Sequence, residues 1–217
     1  MIQYILNINM EGQQQQEYDS SENKHLLNSK WVVWYHNPSD KSWERDSYKD
    51  ILELSSLEDF FVLKNSWENC LPSVSEGMFF LMRKLKNNKV IYPQWEDINN
   101  KHGGYWSFKI DKEHAQDVWF KLFSFTVGES ICENIKESLH VNGISISPKK
   151  NFCIIKIWNN NSKKEDIKLL STKLDFLDMA EVKYSSHMEN IERDSAKQKK
   201  YSSNKKFNKK NINIGRF

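Results

Sequence analysis

Tyr92-Pro93-Gln94-Trp95-Glu96-Asp97, followed closely by Lys101-His102-Gly103-Gly104-Tyr105-Trp106, is the stretch around which the chain is organised. Pro93 fixes its own φ and biases Tyr92 toward an extended conformation, so Trp95 and Glu96 fall in a shaped loop rather than inside a helix or strand. Gly103-Gly104 reads as a turn able to take positive φ, and Tyr105 to Ile110 alternates like a strand. A broad π surface beside a carboxylate suits a flat, cationic ring that carries hydrogen-bond donors on its edge.

Outward from this loop, strands and helices are mixed. Gly77 to Leu85 reads as a buried strand, and Asn87-Asn88 as a turn into Lys89-Val90-Ile91-Tyr92. Lys112 to Val127 has apolar residues at roughly helical spacing, as does Lys164 to Leu177 through Ile167, Leu170, Leu174 and Leu177. Lys30 to Tyr35 and Tyr48 to Leu54 are β-rich; between them Asn37-Pro38-Ser39-Asp40 is turn chemistry with Trp43 just beyond it. Ser56-Leu57-Glu58-Asp59 can cap a helix that carries Phe60, Phe61, Leu63 and Trp67. Asn142-Gly143 interrupts a strand as a hairpin turn or a bulge. Phe152 to Trp158 and Glu181 to Ser186 supply further strands. The pattern predicts an α+β domain: one curved antiparallel sheet with about three helices on its convex face. Trp31, Trp34, Trp106 and Trp119 lie inside elements and read as core, whereas Trp43 and Trp95 lie in turn and loop, where stacking on a ligand is the better account.

The 217 residues carry a formal charge of +3, unevenly placed. The last 21 residues, from Lys197, hold eight Lys/Arg and no acid, leaving 24 basic against 29 acidic residues before them. The expected organisation is a disordered tail over 1–24, a domain over 25–196 and a basic, flexible tail over 197–217. A polyanion must therefore use a local patch or the tail. That tail suits either sequence-independent RNA binding or a solubilising role. Three cysteines without CxxC spacing point to a reducing compartment. No signal peptide and no apolar run of membrane-spanning length is seen, so the expected location is cytoplasmic. P-loop, GxSxG, GxGxxG and metal-ligand patterns are missing, which favours a binding protein over an enzyme; no cofactor or metal is expected.

In chain order, His25 with Trp31-x-x-Trp34, Lys41-Ser42-Trp43, Glu58-Asp59-Phe60, Pro93-x-Trp95-Glu96-Asp97, Gly103-Gly104-x-Trp106, Val127-Gly128-Glu129 and the strand ending at Trp158 form an ordered set. That set resembles eukaryotic translation initiation factor 4E, the mRNA 5′-cap-binding protein, from about His25 to Arg193. The resemblance implies that Trp43 and Trp95 sandwich 7-methylguanine, that Glu96 accepts from its N1–H and amino group, and that Trp158 packs near the methyl group. Lys149, Lys150 and Arg193 are the implied contacts to the cap phosphates. Asn151 and Ile154 stand where the family usually has Lys, and Tyr105 where it commonly has Arg.

The resemblance also implies a partner-binding face, the docking site for a helix of the scaffold factor 4G or of a repressor. His25, Leu57, Glu58, Phe61, Phe120 and Lys121 are the candidates here. Phe61 stands in place of the family's Trp, and Lys121 in place of an acid, so a co-diverged scaffold partner is expected. The implied protein is a monomer that recruits capped mRNA to translation initiation. Cap sequestration without recruitment, and a protein–protein adaptor that binds no cap, are the alternatives.

Overall fold

The computed structural model describes residues 24–197. The tails expected over 1–24 and 197–217 thus lie outside the described residues, except for Lys24 and Lys197 at their inner ends.

Seven strands form one antiparallel sheet: β1 (Leu26–His36), β2 (Tyr48–Ser56), β3 (Met78–Lys84), β4 (Gly104–Asp111), β5 (Val141–Pro148), β6 (Phe152–Asn159) and β7 (Lys183–Ser186). Their spatial order is β2-β1-β3-β5-β6-β4-β7. The helices are α1 (Leu57–Cys70), α2 (Ala115–Val127), the one-turn α3 (Ile135–Ser138) and α4, over 187–197. This is the α+β class expected, with the two long helices α1 and α2 on one face of the sheet.

Period-two alternation sorts the side chains to two sides of that sheet. Trp31, Val33, Phe79, Leu81, Trp106, Phe108, Ile144, Ile146, Ile155 and Ile157 face α1 and α2 and join the main core. Val32, Trp34, Phe80, Met82, Tyr105 and Trp158 point the other way and form a second, smaller cluster with Tyr48 and Ile91. Trp31, Trp34, Trp106 and Trp119 are all buried, as their places inside elements require.

Local chemistry sets the ends of α1. Ser56 Oγ accepts from Asp59 N–H at 3.2 Å and the Asp59 carboxylate accepts from Ser56 N–H at 2.9 Å, a reciprocal capping box. Phe60, Leu63 and Trp67 then face the core, while Phe61 and Val62 face outward. Asn142-Gly143 resolves as a bulge: the β5–β6 register shifts between Val141 and Gly143. A Cβ at Gly143 would lie 2.1 Å from Leu81 O, so only glycine permits the approach of β3.

Three expectations need correction. Gly103 and Gly104 do not take positive φ. They are needed for close packing, since a Cβ would lie 1.9 Å from Asn159 O at the first and 2.5 Å from Ser185 O at the second. No helix forms over 164–177. That segment makes a 3-10 turn at Ile167–Leu169, and its backbone bonds go instead to 131–133, through Glu133 N–H to Leu169 O at 3.1 Å and Ser171 N–H to Ile131 O at 3.0 Å. Leu170, Leu174 and Leu177 are still buried, so the spacing reported burial without reporting a helix. Residues 89–92 add only an isolated bridge, Lys84 to Val90, rather than a strand.

Candidate functional site

On the face away from α1 and α2, a cavity of about 420 Å³ opens above the small aromatic cluster. Trp43 and Trp95 line it together with Glu96, and Tyr48, Phe80, Ser145, Ser147, Lys156 and Trp158 line its floor and walls. The four residues expected at the base-binding site (Trp43, Trp95, Glu96, Trp158) thus meet in one slot, although they come from two loops and a strand.

Trp43 is 53% exposed, an unusual state for an indole, yet it is not loose. The buried His36 ring stacks on it at 4.4 Å with an interplanar angle of 5°. His36 is itself aimed by a 2.8 Å hydrogen bond between Nε2 and Ser42 O. Gln94 Nε2 donates to Trp43 O at 2.6 Å, tying the two tryptophan loops together. Arg45 crosses the same gap, its guanidinium 4.4 Å from the Tyr92 ring centre.

The Trp95 loop is held from inside by buried polar side chains. Asn100 Nδ2 donates to both Tyr92 O and Gln94 O at 2.8 Å. Asp97 accepts from Asn99 N–H at 2.9 Å and Tyr92 N–H at 3.3 Å. Asn142, at the β5 bulge, donates to Asn99 O at 2.9 Å and Asn100 Oδ1 at 2.8 Å. With these bonds made, the loop is rigid enough to present Trp95 without regular secondary structure. Trp95 N–H makes no hydrogen bond among the described residues and Glu96 is exposed, so both remain available to a ligand. Trp158, 2% exposed, donates from Nε1 to Ser145 Oγ at 2.9 Å, which fixes its ring in the floor. Tyr48 feels the slot too: burial, and after it the nearby Glu96 charge, raises its hydroxyl pKa.

The most informative residue was not anticipated. Lys156 is the residue two before Trp158 on β6, hence on the same face, and it lines the slot. Its ammonium lies 4.1 Å from the Tyr105 ring centre and 5.7 Å from that of Trp95, with no carboxylate within 4.0 Å among the described residues. Burial, and secondarily the charge of Lys149, lowers its pKa to about 8. Beside it the buried His187 packs on Trp158 at 4.9 Å and Tyr105 at 5.5 Å, and burial followed by the Lys156 charge lowers its pKa to about 3. Period-two counting back from Trp158 could have found Lys156; nothing in a single sequence marks Asn100 or His36.

Lys149 and Lys150 are exposed in the β5–β6 turn, beside the slot rather than in its wall. Arg193 is exposed on α4 and donates to Asn190 Oδ1 at 3.0 Å; its neighbour Asp194 is the α4 residue that lines the slot.

The candidate partner face lies on the opposite side. His25 Nδ1 lies 2.8 Å from Glu58 Oε1, and this hydrogen bond is the main cause that lowers the Glu58 pKa to about 2. Leu57, Phe61 and Val62 are exposed on α1, joined by Leu26 at 78% exposure. Lys121 pairs with Asp117 at 2.8 Å on the exposed side of α2. Phe120 is different: it is 6% exposed and meets Trp67 edge-on at 5.3 Å, so it supports this face from below.

Fold and slot together present a seven-stranded α+β domain with an open, aromatic-lined cavity on one face of its sheet. The family described as Eukaryotic initiation factor 4E matches residues 26–202. The translation initiation factor 4E of Candida albicans is 30% identical over 186 residues, covering 78% of this chain and 84% of its own. That of Saccharomyces cerevisiae is 28% identical over 180 residues, 80% of this chain and 78% of its own. Among solved structures, Ascaris suum eIF4E-3 with an m2,2,7G cap has a TM-score of 0.61 and 25% identity over 76% of this chain and 92% of that one. Caenorhabditis elegans eIF4E-3 with the 4E-binding protein Mextli and a cap analog, at 0.64 and 24% over 78% and 96%, shares the fold. The chain belongs to the eukaryotic translation initiation factor 4E family, non-catalytic proteins of translation initiation.

Proposed function

We propose that the slot binds the 7-methylguanosine 5′ cap of mRNA, and that the protein recruits the message to initiation through a partner on the α1–α2 face. One observation carries the reading: two indoles from separate loops, cross-tied by the Gln94–Trp43 bond, flank a slot with a carboxylate at its rim. N7-methylation makes guanine cationic, and indole is the side-chain face that best attracts a flat cation. Glu96 accepts from N1–H and the exocyclic amino group, a charge-assisted pair that adenine does not offer in that arrangement, and Trp95 N–H meets O6. Trp158 forms the apolar floor for the methyl group.

Lys156 takes the phosphate side, with Lys149, Lys150 and Arg193 at longer range. The structures of two relatives include cap ligands, which supports the same use here. The exposed Leu26, Leu57, Phe61 and Val62 form an apolar patch suited to an amphipathic helix of a 4G-type or co-diverged scaffold. Retention on immobilised 7-methyl-GTP tests the reading. Elution by 7-methyl-GTP but not by GTP is expected; passage straight through the column would leave an adaptor without cap binding. Addition to a cap-dependent extract then separates recruitment, which stimulates, from sequestration, which inhibits.

A further inference from the structure

Across the slot face, Lys156 on β6 is in register with Ser107 on β4, and Ser107 with Lys183 on β7. In register across antiparallel strands, all three side chains point to the same side, and two strand spacings separate the lysines by about 10 Å. Two residues further along β4, Lys109 shares that side and sits 5.1 Å from the ring centre of Phe152. Lys149 and Lys150 flank the start of β6. Lys109 and Lys183 are exposed, and neither has a carboxylate within 4.0 Å among the described residues, unlike Lys84 and Lys164, which are paired elsewhere. The charged groups around the row are Asp111 at the far end of β4, Asp194 and Arg193 on α4, Glu181 before β7 and Glu96 at the slot rim. Cations therefore continue outward from the slot along the sheet, with an aromatic ring among them.

Resting on the cap reading, we propose that Lys183 and Lys109, which extend the line from Lys156 through Ser107, seat the RNA backbone immediately downstream of the capped nucleotide. Charge complementarity names the occupant: exposed ammonium groups on one face, without a carboxylate partner among the described residues, suit a phosphate backbone. Phe152 offers a stacking surface to any base, while the Ser107 hydroxyl donates to Lys183 O at 3.1 Å and ties β4 to β7 beneath the cations. Such a contact is indifferent to sequence and sensitive to salt, since each phosphate neutralised adds about 0.7 to the slope of log affinity against log salt for a single strand.

The test compares the wild type with the double variant Lys109→Ala/Lys183→Ala, both surface changes that leave the slot intact. Each is titrated with 7-methyl-GTP, a capped octanucleotide and the same octanucleotide uncapped, at several salt concentrations. The expected result is equal affinity for 7-methyl-GTP, several-fold weaker binding of both octanucleotides by the variant, and a salt slope smaller by about 1.4 for two lost phosphates. An unchanged slope and affinity for the octanucleotides would overturn the proposal. Failure of the wild type to bind 7-methyl-GTP would overturn the cap reading alone, because the uncapped arm still judges the row.

Discussion

The two faces of the sheet are built from the same strands and differ in how they are finished. Beneath α1 and α2, Trp31, Trp67, Trp119 and Phe79 are almost wholly buried; Trp67 packs on Phe79 and Trp119 on Phe123, and Trp31 lies under the Arg83 guanidinium. On the opposite face the aromatic cluster stops short: Trp34, Phe80, Tyr105 and Trp158 are covered, but Trp43 and Glu96 above them are exposed. Polar groups also differ. The helix side buries the ion pair of Arg83 with Glu129, 2.5 Å apart and shared with Ser29 and Asn28, whereas on the slot side Lys156 has no carboxylate within 4.0 Å among the described residues. One face buries its tryptophans and holds Arg83 and Glu129 in a closed pair; the other leaves the Trp43 indole exposed and the Lys156 ammonium lining an open slot.

Matched substitutions should break the symmetry between these faces. Trp67→Ala removes a fully buried indole and should cost about 3–5 kcal/mol. Trp43→Ala should cost about 1 kcal/mol, the worth of its stack on His36. Chemical denaturation measures both. Cap affinity should rank them the other way, with Trp43→Ala at least tenfold weaker and folded Trp67→Ala near wild type.

Charge sharpens the contrast. Glu129→Gln leaves Arg83 buried without its anion and should cost about 3 kcal/mol. Its pH signature follows from sign. Hydrogen bonds from Ser29, Arg83 and Asn28 outweigh burial and hold the Glu129 pKa below its ordinary 4.5. The carboxylate's stabilisation is therefore complete above pH 4.5 and lost as pH falls through the lowered folded value. Acid unfolding curves of wild type and Glu129→Gln should accordingly converge below pH 4.5.

Lys156 should show an effect of the same sign in a higher pH window. Its folded pKa of about 8 lies below the ordinary 10.5, so the unfolded chain binds more protons between these values and stability should rise with pH across that window. The ratio of affinity for 7-methyl-GTP to that for 7-methylguanosine isolates the phosphates. That ratio should fall above pH 8 in the wild type and stay level in Lys156→Arg, whose guanidinium remains charged. A ratio that runs in parallel for both proteins would remove Lys156 from the phosphate site.

The helix-side face was largely legible in the sequence, because period-two and helical spacing report burial directly. Ser56-Leu57-Glu58-Asp59 announced α1, and Asn142-Gly143 left a hairpin turn and a bulge open, of which the bulge forms. Spacing misled only at 164–177, where leucines bury without a helix because neighbouring backbone takes up the hydrogen bonds. On the slot face, Trp95-Glu96 and Trp43 could be picked out by their loop placement. What holds them could not: Gln94 reaches Trp43 from a loop distant in sequence, and His36 and Asn100 act across folded loops whose shape no local pattern marks. Lys156 was readable in principle from its alternation with Trp158, but a single lysine in a strand carries no signal of its own.

Intrinsic tryptophan emission during titration with 7-methyl-GTP is the most direct test of the central claim, because the ligand is held to stack on indole. The account predicts saturable quenching by 7-methyl-GTP, at least tenfold weaker binding of plain GTP, and loss of the response in Trp95→Ala. Flat emission in the wild type, or a Trp95→Ala titration that overlays it, would contradict the account.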